Sequence, residues 1–116
     1  VGDYLFRRPK EIEVGTVFGV PNYDLALLDL IPTEGLARNG SSNELAVAYS
    51  ADGFVRNKAF GVLVTTFSRG ELNALCGIGG ENCEFVPVLH IGGYPAVAAQ
   101  KSGQIPNHTM GDGKYE

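Results

Sequence analysis

Glu44 stands at the head of the small-residue stretch "SSNELAVAYSADGFVR" (41–56), where one carboxyl group can serve two ends. Ser41-x-x-Glu44 has the spacing of a capping box: the serine oxygen accepts from a backbone N–H near Glu44, and the glutamate reaches back to the amide of Ser41. Taken alone, that spacing favours the structural use, because a cap needs no further context. A rim carboxylate can equally do proton chemistry on a bound ligand, if other elements bring it there. His108 lies in a polar loop flanked by glycine and proline, where an imidazole titrates and moves protons. His90 lies inside an apolar run and reads as a hydrogen-bonded core residue. Two histidines so placed do not assemble a serine or cysteine triad.

The remaining motifs carry less. Cys76 and Cys83 build no disulfide framework and match no common zinc spacing, and Cys76 reads as packed among small apolar residues. "GIGGEN" (77–82) follows a helix rather than a strand, the reverse of a dinucleotide-binding fingerprint, so its glycines read as a helix C-terminus. "GDGK" (111–114) lacks the spacing of a phosphate-binding loop. The sequons at Asn39 and Asn107 read as chance matches.

Helical and strand periods alternate along the chain. "DYLFRRPKEI" has helical spacing through Tyr4, Leu5 and Ile12 behind Asp3 as N-cap. Pro9 inside it predicts a kink or a helix starting only there, since an interior proline costs about 3 kcal/mol. "TVFGV" (16–20) predicts a short buried strand, and "YDLALLDLI" (23–31) an amphipathic helix stopped by Pro32. "GLARNG" (35–40) has room for a short strand, and the Glu44 helix runs to about Arg56. "GVLVTTF" (61–67) is a β-branched run of the kind covered on both faces. "GELNALCGIGG" (70–80) predicts a helix and "FVPVLHIGG" (85–93) another buried strand. Beyond Gly93 the periodicity fades into a long loop with one helical turn.

Strands separated by helices imply βαβ units and an α/β fold with a doubly wound parallel sheet of about four strands. Ligands in such sheets sit beyond the carboxyl ends of the strands. The segments there are "PNYD", "SSNE", "SRGE" and "GYPAVAAQKSG". They supply Asn22, Asp24, Glu44 and Glu71 to a polar rim that His108 joins from the loop beyond.

The 116 residues suit one domain, and 44% hydrophobic with 19% charged residues gives ordinary globular composition. A net charge of −4 argues against nucleic acid or an anionic membrane as the main partner. No apolar run reaches a membrane span and no signal-peptide core opens the chain, so the expectation is a soluble, cytoplasmic protein.

Four stretches carry more than pattern: "VGDYLFRRPKEIEVGTVFGVPNYDLALLDLI", "NELAVAYSADGFVR", "LVTTFSRGELNALCGIGG" and "VPVLHIGGYPAVAAQKSGQIPNHTMGDG". Together they resemble the N-terminal region of the fungal-type pyruvate decarboxylases, a thiamine-diphosphate-dependent 2-oxo acid decarboxylase family. The resemblance spans essentially the whole chain. It implies that residues 1–116 are the N-terminal part of the domain that binds the cofactor's aminopyrimidine ring, with central and diphosphate-binding domains lying outside them. It gives Glu44 the role of hydrogen-bonding ring nitrogen N1′, which favours the imino tautomer whose 4′-imine removes the thiazolium C2 proton. Pyruvate would then yield carbon dioxide and acetaldehyde. The implied cofactors are thiamine diphosphate and Mg2+, the latter anchored by a domain outside this chain, and the implied assembly is a homo-oligomer, dimer or tetramer, with active sites between this domain and the last domain of a neighbouring subunit.

Two departures from the family pattern stand out. The family's P-G-D-Y-N is here "PNYD", one residue shorter, which places Asn22 at or beside the proton-transferring aspartate; Asp24 is near but would need another path. The family's His-His pair is here Asn107-His108, and asparagine exchanges no proton at neutral pH. Gly111 to Gly113 match the loop after that pair, not the family's magnesium motif, so no metal ligand is assigned. The alternatives are an indolepyruvate or phenylpyruvate decarboxylase, and a non-catalytic ring-binding or structural α/β module.

Overall fold

The computed structural model describes residues 1–21 and 25–104. The elements run α1 (Gly2–Glu11), β1 (Thr16–Gly19), α2 (Leu25–Leu28), α3 (Leu30–Thr33), β2 (Ala37–Gly40), α4 (Glu44–Lys58), β3 (Gly61–Thr66), α5 (Arg69–Cys83), β4 (Val88–Gly93) and α6 (Val97–Lys101). The four strands form one sheet in the order β2-β1-β3-β4, and every pairing is parallel.

Strand alternation divides the apolar residues between two faces. Val17, Val62 and Val64 face Phe6 of α1, Leu28 of α2 and Ile31 of α3. Phe18 and Leu63 face Val47, Ala48 and Ala51 of α4 and Ala74 of α5. Helices therefore cover both sides, as expected, and β3 is buried along its whole length. A fully buried Leu63 contributes roughly 1.5–3 kcal/mol of transfer free energy.

The strand order matters for the site. From β1 the chain goes to β2 on one side, then returns to β3 on the other, so the order reverses beside β1. In open α/β sheets the ligand crevice forms at such a reversal, beyond the carboxyl ends of the strands. Helix α4 packs on both β1 and β3 and starts at that rim.

Several local expectations are corrected. Helix α1 begins at Gly2 with Val1 as N-cap, so Asp3 is not the cap, and Pro9 lies inside it without delaying its start. The buried side chains are Phe6 and Pro9, while Tyr4 and Ile12 are exposed; packing of that face offsets the proline's missing hydrogen bond. Segment 23–31 is not one helix stopped by Pro32. From Leu25 on, the chain makes two turns, α2 and α3, and Pro32 sits inside α3, in a first turn where its N–H would have no partner anyway.

Helix α5 does not stop at its glycines but continues through Gly77, Gly79 and Gly80 to Cys83. Gly77 is buried against α4, a contact that rewards the missing Cβ and offsets the conformational cost of glycine in a helix. Cys76 is exposed, not packed, because α5 turns its small residues Gly70, Ala74 and Gly77 inward. Strand β4 is likewise not a buried strand. It pairs only with β3 among the described residues and is half-exposed.

Candidate active site

Asn43, not Ser41, caps α4. Its backbone is extended and its Oδ1 accepts the Ala46 N–H at 2.8 Å. Asparagine is as good an N-cap as serine, and "SSNE" places it one residue before the first helical turn. Glu44 is consequently the first residue of the helix, and its carboxyl group reaches outward to α5. The Asn73 side-chain N–H donates to Glu44 Oε2 at 3.1 Å.

Gly70, in the first turn of α5, allows this approach. A Cβ there would lie 3.1 Å from Glu44 Oε1 and 2.8 Å from Thr66 Cγ2. The carboxylate thus lies at the beginning of two helices, where unsatisfied N–H groups favour negative charge. Beneath Gly70, at the carboxyl end of β3, the Thr66 hydroxyl is buried and has no hydrogen-bond partner among the described residues.

A cavity of about 220 Å³ opens one turn along α4 at Val47. Phe18 and Val47 give it an apolar wall, and Asn39, Ser41 and Ser50 line it with polar groups. Asn39 is held there by donating to Thr16 Oγ1 at 2.6 Å.

The other rim acid, Glu71, accepts from the Tyr94 hydroxyl at 3.1 Å and so ties α5 to the segment after β4. The Tyr94 ring lies 6.0 Å from that of Phe67, centroid to centroid. His90 is hydrogen-bonded as its setting predicts, with Nε2 2.8 Å from Thr65 Oγ1, but it is half-buried on β4 and not a core residue. Burial pushes its pKa down, against a smaller upward pull from Glu71. Asn22, Asp24, Asn107 and His108 lie outside the described residues.

Three site residues escape the sequence reading: Asn73, Gly70 and Thr66. They lie 22 to 29 positions from Glu44, and nothing in local spacing marks them; only the packing of α5 and the end of β3 against α4 brings them in. A buried acid was also missed. Glu81 on α5 is 4% exposed, and its Oε1 has no hydrogen-bond partner among the described residues. Burial, reinforced by Asp52 of α4, pushes its pKa up to about 6.

Fold and rim together define an α/β ligand-binding domain that presents a held carboxyl group beside a strand-order reversal. Residues 1–114 match the family described as thiamine pyrophosphate enzyme, N-terminal TPP binding domain, and the chain belongs to that family. It is 48% identical over 117 residues to pyruvate decarboxylase isozyme 3 of Saccharomyces cerevisiae, covering 99% of this chain and 21% of that one. It is 46% identical over 116 residues to pyruvate decarboxylase of Aspergillus fumigatus, covering 99% and 20%. The chain therefore spans about a fifth of the length of these relatives.

Among solved structures, the Rhodococcus jostii RHA1 thiamine diphosphate-dependent 4-hydroxybenzoylformate decarboxylase superposes with a TM-score of 0.81 at 17% identity, over 95% of this chain and 21% of that one. A structure from Mycobacterium smegmatis gives a TM-score of 0.78 at 19% identity, over 95% of this chain and 22% of that one. These two likenesses are of fold.

The described residues fit one end of thiamine diphosphate. A half-buried carboxyl held at the rim suits the nitrogen edge of an aminopyrimidine ring, and the neighbouring cavity offers apolar and hydrogen-bonding walls. For the other end, no group of three or more His, Cys, Asp or Glu side chains converges into a metal site among the described residues. No helix among them is long and apolar enough to cross a membrane.

Proposed function

We propose that this chain is the aminopyrimidine-binding part of a thiamine-diphosphate-dependent decarboxylase that converts pyruvate to acetaldehyde and carbon dioxide. One observation carries the reading: the cap of α4 is Asn43, so the Glu44 carboxyl is free for a ligand and is held at the ligand rim by Asn73. The high identity to pyruvate decarboxylases over 99% of this chain supports the choice of substrate.

Bound thiamine diphosphate supplies the acidic C2 carbon and the electron sink for decarboxylation. Glu44 shares a proton with ring nitrogen N1′. Its position at two helix starts keeps the carboxyl oriented, and its partial burial limits competition from water for that proton. Asn22 and Asn107, with His108, belong to the later proton steps, where only His108 can carry a proton. Mg2+ and the diphosphate are held by groups outside this chain, the working unit is a homo-oligomer, and the enzyme acts in the cytoplasm.

The test is Glu44→Gln in the full-length polypeptide that carries this chain. An amide keeps the length of the side chain but cannot share a proton. The expected result is hydrogen–deuterium exchange at C2 of bound cofactor slowed by two or more orders of magnitude, about the contribution of a positioned acid or base, with thermal unfolding unchanged. Equal exchange rates would return Glu44 to a structural role. Turnover of indolepyruvate or phenylpyruvate in preference to pyruvate would move the substrate assignment and leave the cofactor role standing.

A further inference from the structure

Glu44 is the first residue of its helix, and a half-exposed glutamate there has three rotatable bonds and few steric constraints. Nothing on α4 itself holds its carboxyl. The constraint comes from α5: the Asn73 amide takes Oε2, and the bare Cα of Gly70 lets Oε1 lie against the helix. Asn73 sits one turn beyond Gly70, so the two form a single face of α5 shaped to the carboxylate. The packing of α4 on α5 fixes the separation of Glu44 and Asn73, with Ala48 against Gly77 one turn farther along each helix.

We infer that Asn73 is a positioning residue for Glu44, holding its carboxyl in one orientation so that proton sharing with the cofactor ring starts from an aligned geometry. This rests on the proposed cofactor role of Glu44. Asn73 touches neither substrate nor cofactor in this scheme; it acts by taking one lone pair of Oε2 and excluding other side-chain rotamers. An asparagine does this with a neutral donor, so it adds no second charge beside the carboxylate.

Two variants in the full-length polypeptide separate this from a surface role. Asn73→Ala removes the donor, and Asn73→Asp keeps the shape while replacing the donor with a like charge. C2 exchange of bound cofactor should slow about tenfold to a hundredfold in Asn73→Ala, the scale of effect that misplacement by an ångström has on a positioned group. Asn73→Asp should be slower still, with its exchange profile displaced along the pH axis. In cofactor-free protein, the Glu44 carboxylate infrared band, isolated by subtracting the Glu44→Gln spectrum, should shift in both variants. An unshifted band and wild-type exchange in both Asn73 variants, with Glu44→Gln slowed, would overturn this inference alone. Wild-type exchange in Glu44→Gln would overturn the cofactor role and this inference with it.

Discussion

Gly77 of α5 meets Ala48 of α4 so closely that a Cβ added to the glycine would lie 2.5 Å from the alanine Cβ and 3.3 Å from its carbonyl carbon. The alanine Cβ, rigidly attached to the backbone behind it, and not a flexible side-chain end, stands in the way, so the helices must part to admit a methyl group. The same helix pair carries Glu44 and Asn73, and its spacing sets their hydrogen bond.

Gly77→Ala should therefore destabilise despite alanine's better helix propensity. Overpacking costs roughly 1–3 kcal/mol, and the propensity gain returns about 1 kcal/mol. The expected net loss is on the order of 1 kcal/mol, read as faster amide hydrogen exchange along α4 and α5. C2 exchange of bound cofactor should slow in parallel. Unchanged amide protection would mean that the helices separate freely.

The capping assignment has its own test. Asn43→Ala should cost about 1 kcal/mol and fray the first turn of α4, because the Ala46 N–H loses its acceptor. Ser41→Ala should leave amide exchange in that turn unchanged. The opposite ranking would restore the capping box that the sequence spacing suggests.

Glu81 makes local stability depend on pH. Its pKa rises from 4.5 to about 6 on folding, through burial first and the Asp52 charge second. Below pH 4.5 the proton is held in both folded and unfolded states, and Glu81 costs nothing. Above pH 4.5 the unfolded state gives the proton up first, so a penalty develops as pH rises and levels off once pH passes about 6, where the folded state gives it up too. Amide protection of α4 and α5 should accordingly fall between pH 4.5 and 7, and Glu81→Gln should flatten that dependence. A slope that survives in Glu81→Gln would place its origin elsewhere.

The 116-residue polypeptide on its own should self-associate and turn over no pyruvate. Tyr49, Leu72 and Leu75 on α4 and α5 are each at least half exposed, and Phe85 is 92% exposed. The edge strands β2 and β4 also present unpaired backbone among the described residues. Sedimentation velocity and an acetaldehyde assay with thiamine diphosphate and Mg2+ check both points. A monodisperse monomer, or measurable turnover, would contradict them.

The sequence by itself determined the alternation of elements, the parallel sheet and the rim that carries Glu44. These follow from short-range physics: β-branched runs such as 61–67 extend, polar segments end them, and apolar alternation on β1 and β3 demands cover on both faces. It also marked the family, through stretches spread over the whole chain. Tertiary packing decided the rest. Glycines 77, 79 and 80 read as a stop, but α4 supplies Gly77 with a neighbour close enough to favour a missing Cβ, and α5 runs on through the other two, which face open space. Pro9 and Pro32 read as breakers until burial and a first-turn position made them tolerable. "FVPVLHIGG" (85–93) read as a buried strand because hydrophobicity does not say whether a neighbour lies on one side or both. Asn73 gave no signal, because a hydrogen bond spanning 29 residues is fixed by the distance between two helices, not by any local spacing.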